Sequence, residues 1–151
     1  RVMTQIDSEK IKIIVNRKRI AKKDIDQINE EFGYDPVRLD YKPQKMKMGT
    51  YVLEPEFLTT ILYYQYGDNV FTYTSTPAYQ DFSFGYDIED TIIDEYIKIE
   101  NTEIQITEYL IEASGQQEFS AEFQYKDITY ILTGIIEKDE FEKILENLHF
   151  F

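Results

Sequence analysis

The chain has 151 residues, contains no cysteine and carries 29 acidic against 16 basic residues, which gives a formal net charge of −13. Its length fits one domain, and the lack of cysteine excludes disulfides, thiolate zinc sites and cysteine nucleophiles. No apolar run approaches the roughly 20 residues that a membrane helix requires. Because the sequence begins at Arg1 rather than Met, we expect a trimmed or processed chain that would lack any upstream signal peptide or anchor.

The charge is distributed unevenly along the chain. Residues 1–50 hold 12 basic and 8 acidic residues, whereas residues 51–151 hold 4 basic and 21 acidic residues. An acidic field of this size repels phosphate backbones, so we expect no nucleic-acid partner. The basic stretch at residues 16–23 is interpreted as a solvated turn and helix start rather than a phosphate or membrane patch.

Residues 1–46 predict a strand, a helix and a connector. Residues 10–15 are rich in β-branched side chains and end at a turn. In residues 19–33 apolar side chains recur at helical spacing, and Gly33 stands where a left-handed C-cap belongs. The apolar positions of this helix are Ile25, Ile28 and Phe32. Two prolines make the remainder an extended connector.

From residue 47 to residue 134 the apolar pattern has a period of two, and turn signals follow at short intervals. This pattern predicts an antiparallel meander of about six to seven strands. The predicted strands are 47–53, 57–66, 70–76, 95–100, 103–112, 119–125 and 128–134.

The second and third of these strands concentrate aromatic residues. A two-residue turn at Asp68-Asn69 would pair Tyr66 with Phe71 and Tyr64 with Tyr73, which places four aromatic rings on one face. The opposite face of the third strand would carry Val70, Thr72, Thr74 and Thr76. This asymmetry predicts a sheet with one buried face, although a groove for a ligand is the alternative.

The end of the chain predicts a helix over residues 138–149, with one apolar stripe and acidic residues in its first turn. The stripe comprises Phe141, Ile144, Leu145 and Leu148. We therefore predict a single α+β domain over residues 1–151. Its antiparallel sheet spans residues 47–134, and the N-terminal and C-terminal helices pack on one face.

The candidate binding segment lies within residues 76–96, which are too irregular for a clean strand and too aromatic for an ordinary solvated loop. Its aromatic residues and flanking acids are predicted to form a partner-binding surface, with burial in the core as the alternative. The predicted binding residues are Tyr79, Asp81, Phe82, Phe84, Tyr86 and Asp87. The acids between residues 87 and 95 lack calcium-loop spacing, so we interpret them as a solvated face and predict no metal site.

Catalytic motifs are absent from the sequence. The one histidine, His149, lies near the chain end, where it suits the negative end of a helix dipole better than the role of a base. No nucleophile elbow, dinucleotide fingerprint or phosphate loop occurs. We predict that the protein is not an enzyme, has no catalytic residues and requires no cofactor.

Two stretches carry a resemblance to a known family. "YKPQKM" at residues 41–46, followed by strands and then "AEFQYKDITYILTGIIEKDEFEKILENLHF" at residues 121–150, is similar to the pattern Y-x-P-x-G, strands, aromatic-x-x-D/N-G-x-x-Y-x-L-x-G and a terminal helix. Lys45 stands at the position of the first glycine of that pattern. The pattern resembles an uncharacterised domain family in the extracytoplasmic part of Gram-positive anti-sigma-factor-like and sporulation-associated membrane proteins.

The resemblance implies a non-catalytic binding or sensing module of a cell-envelope protein, tethered through an upstream anchor that this sequence does not include. A cytoplasmic location stays open, and the partner could be a protein or a small molecule. One alternative is a carrier that holds an apolar or lipid-like ligand between the sheet and the helices. A weaker alternative is an enzyme that uses the acidic loop at residues 87–95.

Overall fold

The computed structural model describes residues 13–16, 26, 29–30, 33, 39–54, 56–78, 91–111 and 114–148. These residues form eight strands and a C-terminal helix. The strands are β1 Ile13–Asn16, β2 Met46–Glu54, β3 Thr59–Tyr66, β4 Asn69–Pro77, β5 Thr91–Ile99, β6 Thr102–Ile111, β7 Gln116–Tyr125 and β8 Ile128–Ile135, and the helix is α1 Lys138–Glu146. Each strand predicted between residues 47 and 134 corresponds to one of β2 to β8, which confirms that part of the prediction.

The eight strands form one sheet in the order β1-β2-β3-β4-β8-β7-β6-β5, and every neighbouring pair is antiparallel. The prediction of an antiparallel sheet is therefore confirmed, but the sheet is not one continuous meander. Two meanders, β1 to β4 and β5 to β8, meet where β4 pairs with β8. This arrangement places two apolar strands side by side at the centre, where Tyr73 is paired with Leu132.

The predicted β3–β4 turn is displaced by one residue. The turn is at Gly67-Asp68, so Tyr66 is paired with Asn69 and Tyr64 with Phe71. Gly67 has φ 63°, a left-handed conformation that costs glycine little at the first position of a tight hairpin turn. The pairing therefore shifts by two residues, and because side chains alternate with a period of two, the same aromatic rings still share a face.

One face of the sheet, here called the core face, carries the large buried side chains. The strands β2, β3, β4, β6, β7 and β8 contribute to it, and Ile97 and Ile99 of β5 are partly buried against it. Its fully buried strand residues are Tyr51, Leu62, Phe71, Tyr73, Ile104, Phe119, Ala121 and Leu132. Alternation of apolar and polar residues along the strands produces this face, as expected for a sheet packed on one side.

Helix α1 packs on the core face. Phe141, Ile144, Leu145 and Leu148 are each at most 2% exposed, so the predicted apolar stripe is confirmed as the docking surface. The ring of Phe141 stacks on Phe119 with 5.5 Å between the centroids and meets the edge of Phe71 at 6.1 Å. The helix ends at Glu146, three residues before the predicted end, where the Asn147 side chain donates to the Lys143 carbonyl. His149 lies outside the described residues.

A glycine makes this helix contact possible. Gly134 of β8 is paired with Phe119, and the ring of Phe71 leans over it from the other side. A Cβ atom on residue 134 would lie only 2.5 Å from Cδ2 of Phe71. The two rings can therefore flank Phe141 only because residue 134 has no side chain.

The prediction that the sheet has one buried face is wrong for β2, β3 and β4. Thr74, Thr76 and Ile61 point away from the core face, yet each is at most 1% exposed. The hydroxyl of Thr76 exchanges a hydrogen bond of 2.8 Å with that of Thr59. The alternation along the strands indicated which residues share a face. It could not indicate that the threonine face is buried, because threonine suits buried and exposed strand positions equally well.

The predicted N-terminal helix falls mostly outside the described residues, and its packing stays a prediction. Within that segment Gly33 has φ 82°, and its N–H donates to the carbonyl of Asn29 over 3.0 Å. This conformation is the one predicted for Gly33. No helix in the described part of the chain is long and apolar enough to cross a bilayer.

We expect Gly134→Ala to lower the free energy of unfolding by about 1–3 kcal/mol, because the added methyl group would displace the Phe71 ring. Gly49→Ala in β2 is the matched control, since its nearest atom, the Tyr63 carbonyl oxygen, would be 3.3 Å away. Urea unfolding of both variants measures the difference. Equal losses would contradict the proposed role of Gly134.

Candidate functional site

An open depression lies at one end of the sheet, where two turns and the start of α1 meet. Its volume is about 670 Å³. We call it the turn-end depression, and its lining residues are Lys45, Tyr66, Gly67, Asp68, Asn69, Gly115, Gln116, Gln117, Ile135, Ile136 and Glu137. The residue before β2, the β3–β4 turn, the β6–β7 turn and the β8–α1 link thus contribute to one surface.

The local sequence explains why these segments meet. Gly67 and Gly115 both have positive φ, which permits tight connections at this end of the sheet. The Gly115 N–H donates to the Ile111 carbonyl over 2.8 Å, which closes the β6–β7 turn. The chain leaves β8 at the same end and enters α1 directly, so Glu137 stands at the N-cap beside the turns.

Tyr66 and Glu137 form the central polar contact. The buried Tyr66 side chain donates its hydroxyl hydrogen to Oε1 of Glu137, and Nζ of Lys45 lies 4.5 Å from the centre of the Tyr66 ring. Burial, followed by the bond to Glu137, raises the pKa of Tyr66 well above its usual 10. The bond from Tyr66 is the largest cause that lowers the pKa of Glu137 below its usual 4.5, and the charge of Lys45 lowers it further. At neutral pH the pair is therefore a neutral tyrosine and a carboxylate.

A second tyrosine–glutamate pair lies beside the first. The hydroxyl of Tyr41 donates to Oε1 of Glu140 over 2.6 Å, and Nζ of Lys143 lies 5.2 Å from the centre of the Tyr41 ring. The hydrogen bond to Glu140 is the largest cause that raises the pKa of Tyr41. Because Glu137 and Glu140 are three residues apart, they lie on the same side of the helix start. The two pairs hold the connector and the end of β3 against the first turn of α1.

The depression offers polar groups of several kinds. Gln116 is exposed and Asn69 is partly exposed, so their amides can both donate and accept hydrogen bonds, whereas the exposed Gln117 amide already donates to Oε2 of Glu108. Lys45 adds one cation, and Asp68 and Glu137 add two acidic side chains to the lining. In the part of the chain that the structure describes, no three acidic or histidine side chains converge as metal ligands. The arrangement can hold a polar ligand by hydrogen bonds.

The predicted binding residues Tyr79, Asp81, Phe82, Phe84, Tyr86 and Asp87 lie outside the described residues, and their role stays a prediction. Of the acidic residues predicted as a solvated face, Glu95 is described in full. Its Oε1 lies 3.9 Å from Nζ of Lys138, and both side chains are largely exposed. This pair links β5 to the start of α1 and contributes little to stability.

Sequence reasoning missed the turn-end depression, although part of its signal was present. The motif at residues 41–46 contains Tyr41 and Lys45, and turn signals separate the predicted strands. In an antiparallel meander, successive connections alternate between the two ends of the sheet. This rule could have predicted that the β6–β7 turn and the β8–α1 link lie at the same end. The order of β4 and β8 was needed to bring the β3–β4 turn beside them, and no local pattern carries that information.

We expect Tyr66→Phe to raise the pKa of Glu137 towards 4.5 and to destabilise the fold by about 0.5–1 kcal/mol at pH 7. Because the folded-state pKa of Glu137 is lowered, this stabilisation is present above about pH 5 and is lost as the pH falls through the lowered value. An NMR titration of the Glu137 carboxyl group and urea unfolding at pH 7 and pH 3 measure both effects.

Tyr63→Phe provides the control for this prediction, because it removes the same hydroxyl group from the same strand on the opposite face. It should leave the pKa of Glu137 unchanged. An unchanged Glu137 pKa in Tyr66→Phe would show that the bond does not determine the charge state of the carboxylate.

Comparison with known proteins gives a family and no characterised relative. No curated protein and no solved structure matches this chain. The family described as Domain of unknown function (DUF4367) matches residues 36–148, a range that includes both tyrosine–glutamate pairs and every strand from β2 to β8. The chain therefore belongs to the DUF4367 family.

Proposed function

We propose that this domain is a non-catalytic binding or sensing module of a cell-envelope protein, and that the turn-end depression contacts its partner. The observation that carries the proposal is the combination of exposed amides with one lysine and two acidic residues around a preformed, open depression. Such groups recognise a ligand through hydrogen bonds and fix its orientation. The tyrosine–glutamate pairs hold the surface in place, because they connect three of its four segments.

The chemistry of the lining favours a polar segment of a partner protein. Glutamine and asparagine side chains can pair with peptide groups as donors and acceptors at once. Lys45 suits an acidic side chain of the partner, and Glu137 suits a basic one. A ligand of one charge sign would meet a like charge at the rim, which costs binding energy.

The proposed location rests on the resemblance in residues 41–46 and 121–150, which is to extracytoplasmic domains of Gram-positive membrane proteins. In this setting an anchor upstream of the domain holds it at the outer face of the cell membrane. The acidic field of residues 51–151 disfavours direct contact with anionic headgroups, so contact with a protein is the better-supported role.

Two alternatives stay predictions without a supporting observation. A carrier of an apolar ligand would need space between the sheet and α1, where Phe141 instead contacts Phe119 and Phe71. An enzyme based on residues 87–95 would need converging carboxylates, and most of that segment lies outside the described residues. The aromatic segment at residues 79–87 remains a second predicted contact surface.

Cysteine accessibility tests the location and the surface together, because this domain contains no cysteine of its own. Gln116→Cys in the depression and Gln124→Cys, at an exposed position elsewhere on β7, would be placed in the full-length protein with any other cysteines removed. Both would be treated with a membrane-impermeant maleimide in intact cells and as purified domains. We expect both sites to react in intact cells, with Gln116→Cys protected at least about 3-fold relative to the purified domain.

A charge change at Lys45 is the control for the labelling experiment, and two different outcomes would contradict the location and the partner. Lys45→Glu should restore the reactivity of Gln116→Cys in cells without changing that of Gln124→Cys. Labelling that appears only after cells are permeabilised would contradict the extracytoplasmic location. Equal reactivity of Gln116→Cys in cells and in the purified domain would contradict a partner at the depression.

A further inference from the structure

Six polar or aromatic side chains form an open area on the face of the sheet opposite the core face, here called the outer face. Two come from each of the strands β5, β6 and β7, and they are Tyr96, Lys98, Glu103, Gln105, Glu122 and Gln124. In one row Tyr96 is paired with Gln105 and Gln105 with Glu122, and the pair of Lys98 and Glu103 begins the next row. Because neighbouring strands lie about 4.8 Å apart and each residue rises about 3.4 Å, this outer-face grid measures about 10 Å by 7 Å.

The outer-face grid is open to solvent. Tyr96 is 62% exposed, which is unusual for a large aromatic side chain on a strand. Gln105 is partly exposed, and the other four side chains are exposed. The open area ends at β7, because Ile131 of β8, which is paired with Glu122, is only 3% exposed. The accessible surface is thus the face of three paired strands.

The polar groups of the grid are not engaged with one another. In the part of the chain that the structure describes, none of the six side chains makes a hydrogen bond or an ion pair. The amides of Gln105 and Gln124 can each donate and accept hydrogen bonds, the carboxylates of Glu103 and Glu122 accept them, and Lys98 donates them. Donors and acceptors of several kinds therefore surround one exposed aromatic ring.

We propose that the outer-face grid binds a neutral oligosaccharide, with the ring of Tyr96 stacked on the C–H face of one sugar. The face of an aromatic ring is electron-rich, so it attracts the partly positive C–H groups that line one side of a sugar ring. The hydroxyl groups at the edge of the sugar each donate and accept a hydrogen bond. They can meet the amide of Gln105 and the carboxylate of Glu122, which lie in the same row as Tyr96.

The composition of the grid disfavours two other classes of ligand. Glu103 and Glu122 outnumber Lys98, and the whole chain has a net charge of −13, so an anionic polymer is repelled. A protein interface normally buries several apolar anchors, whereas Tyr96 is the one large apolar group among the six side chains. A neutral ligand that combines one flat apolar face with many hydroxyl groups suits the grid better than either.

The outer-face grid is separate from the turn-end depression, since no residue belongs to both. The proposed sugar site therefore does not depend on the function proposed for the depression. A result against one of the two surfaces leaves the other unaffected.

Titration with neutral tetrasaccharides tests the proposal. The probes are cellotetraose, maltotetraose, mannotetraose and the tetramer of N-acetylglucosamine, and amide NMR shifts report both the affinity and the location of binding. We expect at least one probe to bind with a Kd of about 0.1–5 mM, because an open surface makes few contacts with a small ligand. The largest shifts should occur in β5, β6 and β7. Tetragalacturonate, the anionic probe, should bind at least about 10-fold more weakly.

Substitutions at Tyr96 test the stacking. Tyr96→Ala should weaken binding of the best probe at least about 10-fold, whereas Tyr96→Phe, which keeps the ring, should stay within about 3-fold. Val70→Ala is the matched control, because it truncates a side chain that is 55% exposed on the same face but outside the grid, and it should leave the Kd unchanged. Thermal unfolding checks that each variant folds. If Tyr96→Ala does not fold, Gln105→Ala should weaken binding at least about 3-fold.

Three results would overturn the proposal. In the first, none of the neutral probes shifts the amides of β5, β6 and β7 at concentrations up to about 20 mM, which is several times the largest expected Kd. In the second, Val70→Ala weakens binding as much as Tyr96→Ala. In the third, tetragalacturonate or a decaproline peptide shifts the same amides as strongly as the best neutral sugar, which would show that the grid takes a different class of ligand.

Discussion

The contact of Phe71, Phe119 and Phe141 beside Gly134 is the constraint on which the rest of the described fold depends. Phe71 and Phe119 belong to the two meanders, and Gly134 lies between them on the strand that joins those meanders. Phe141 brings α1 onto this point with one stacked and one edge contact. Aromatic pairs in such geometries stabilise a fold beyond the area that they bury. The sheet order and the helix position are thus specified by one cluster.

The position of α1 in turn determines the candidate site. Once Phe141 is docked, Glu137 stands one turn earlier beside the end of β3, and Glu140, the residue before Phe141, stands beside the connector. Each accepts a tyrosine hydroxyl hydrogen, and a lysine lies over each tyrosine ring. The depression is therefore a consequence of core packing combined with two polar contacts. Its lining residues occur in four segments that are distant in sequence.

Local patterns predicted the local parts of this fold. The period of two identified the strands from β2 to β8, and the stripe ending at Leu148 identified the docking face of α1. Exact register was harder, because Gly67 and Asn69 are both acceptable turn residues and only a one-residue difference separates the two turns. The pairing of β4 with β8 could not be predicted, since strand order depends on long-range packing rather than on periodicity.

The candidate site was the least predictable part for the same reason. None of its residues forms a motif by itself, and Tyr66 has the same sequence context as the buried tyrosines near it. The role of Gly134 was also not predicted, although Gly134 is the last residue of the Y-x-L-x-G part of the family pattern, which begins at Tyr130. A glycine inside an apolar strand signals close approach of another group, and here that group is the Phe71 ring. Thr74 and Thr76 are buried, which shows that a strand face made of polar residues can also be inaccessible to solvent.

A double-mutant cycle between Phe119 and Phe141 tests the central claim most directly. Phe119→Leu, Phe141→Leu and the double variant would be unfolded in urea at pH 7, and the coupling energy would be taken from the four free energies of unfolding. If the stacked pair specifies how α1 meets the sheet, the double variant should lose about 0.5–1.5 kcal/mol less than the two single losses added together. Losses that add within about 0.3 kcal/mol would show that the two rings contribute independently, and the cluster would then not be the contact that unites the fold.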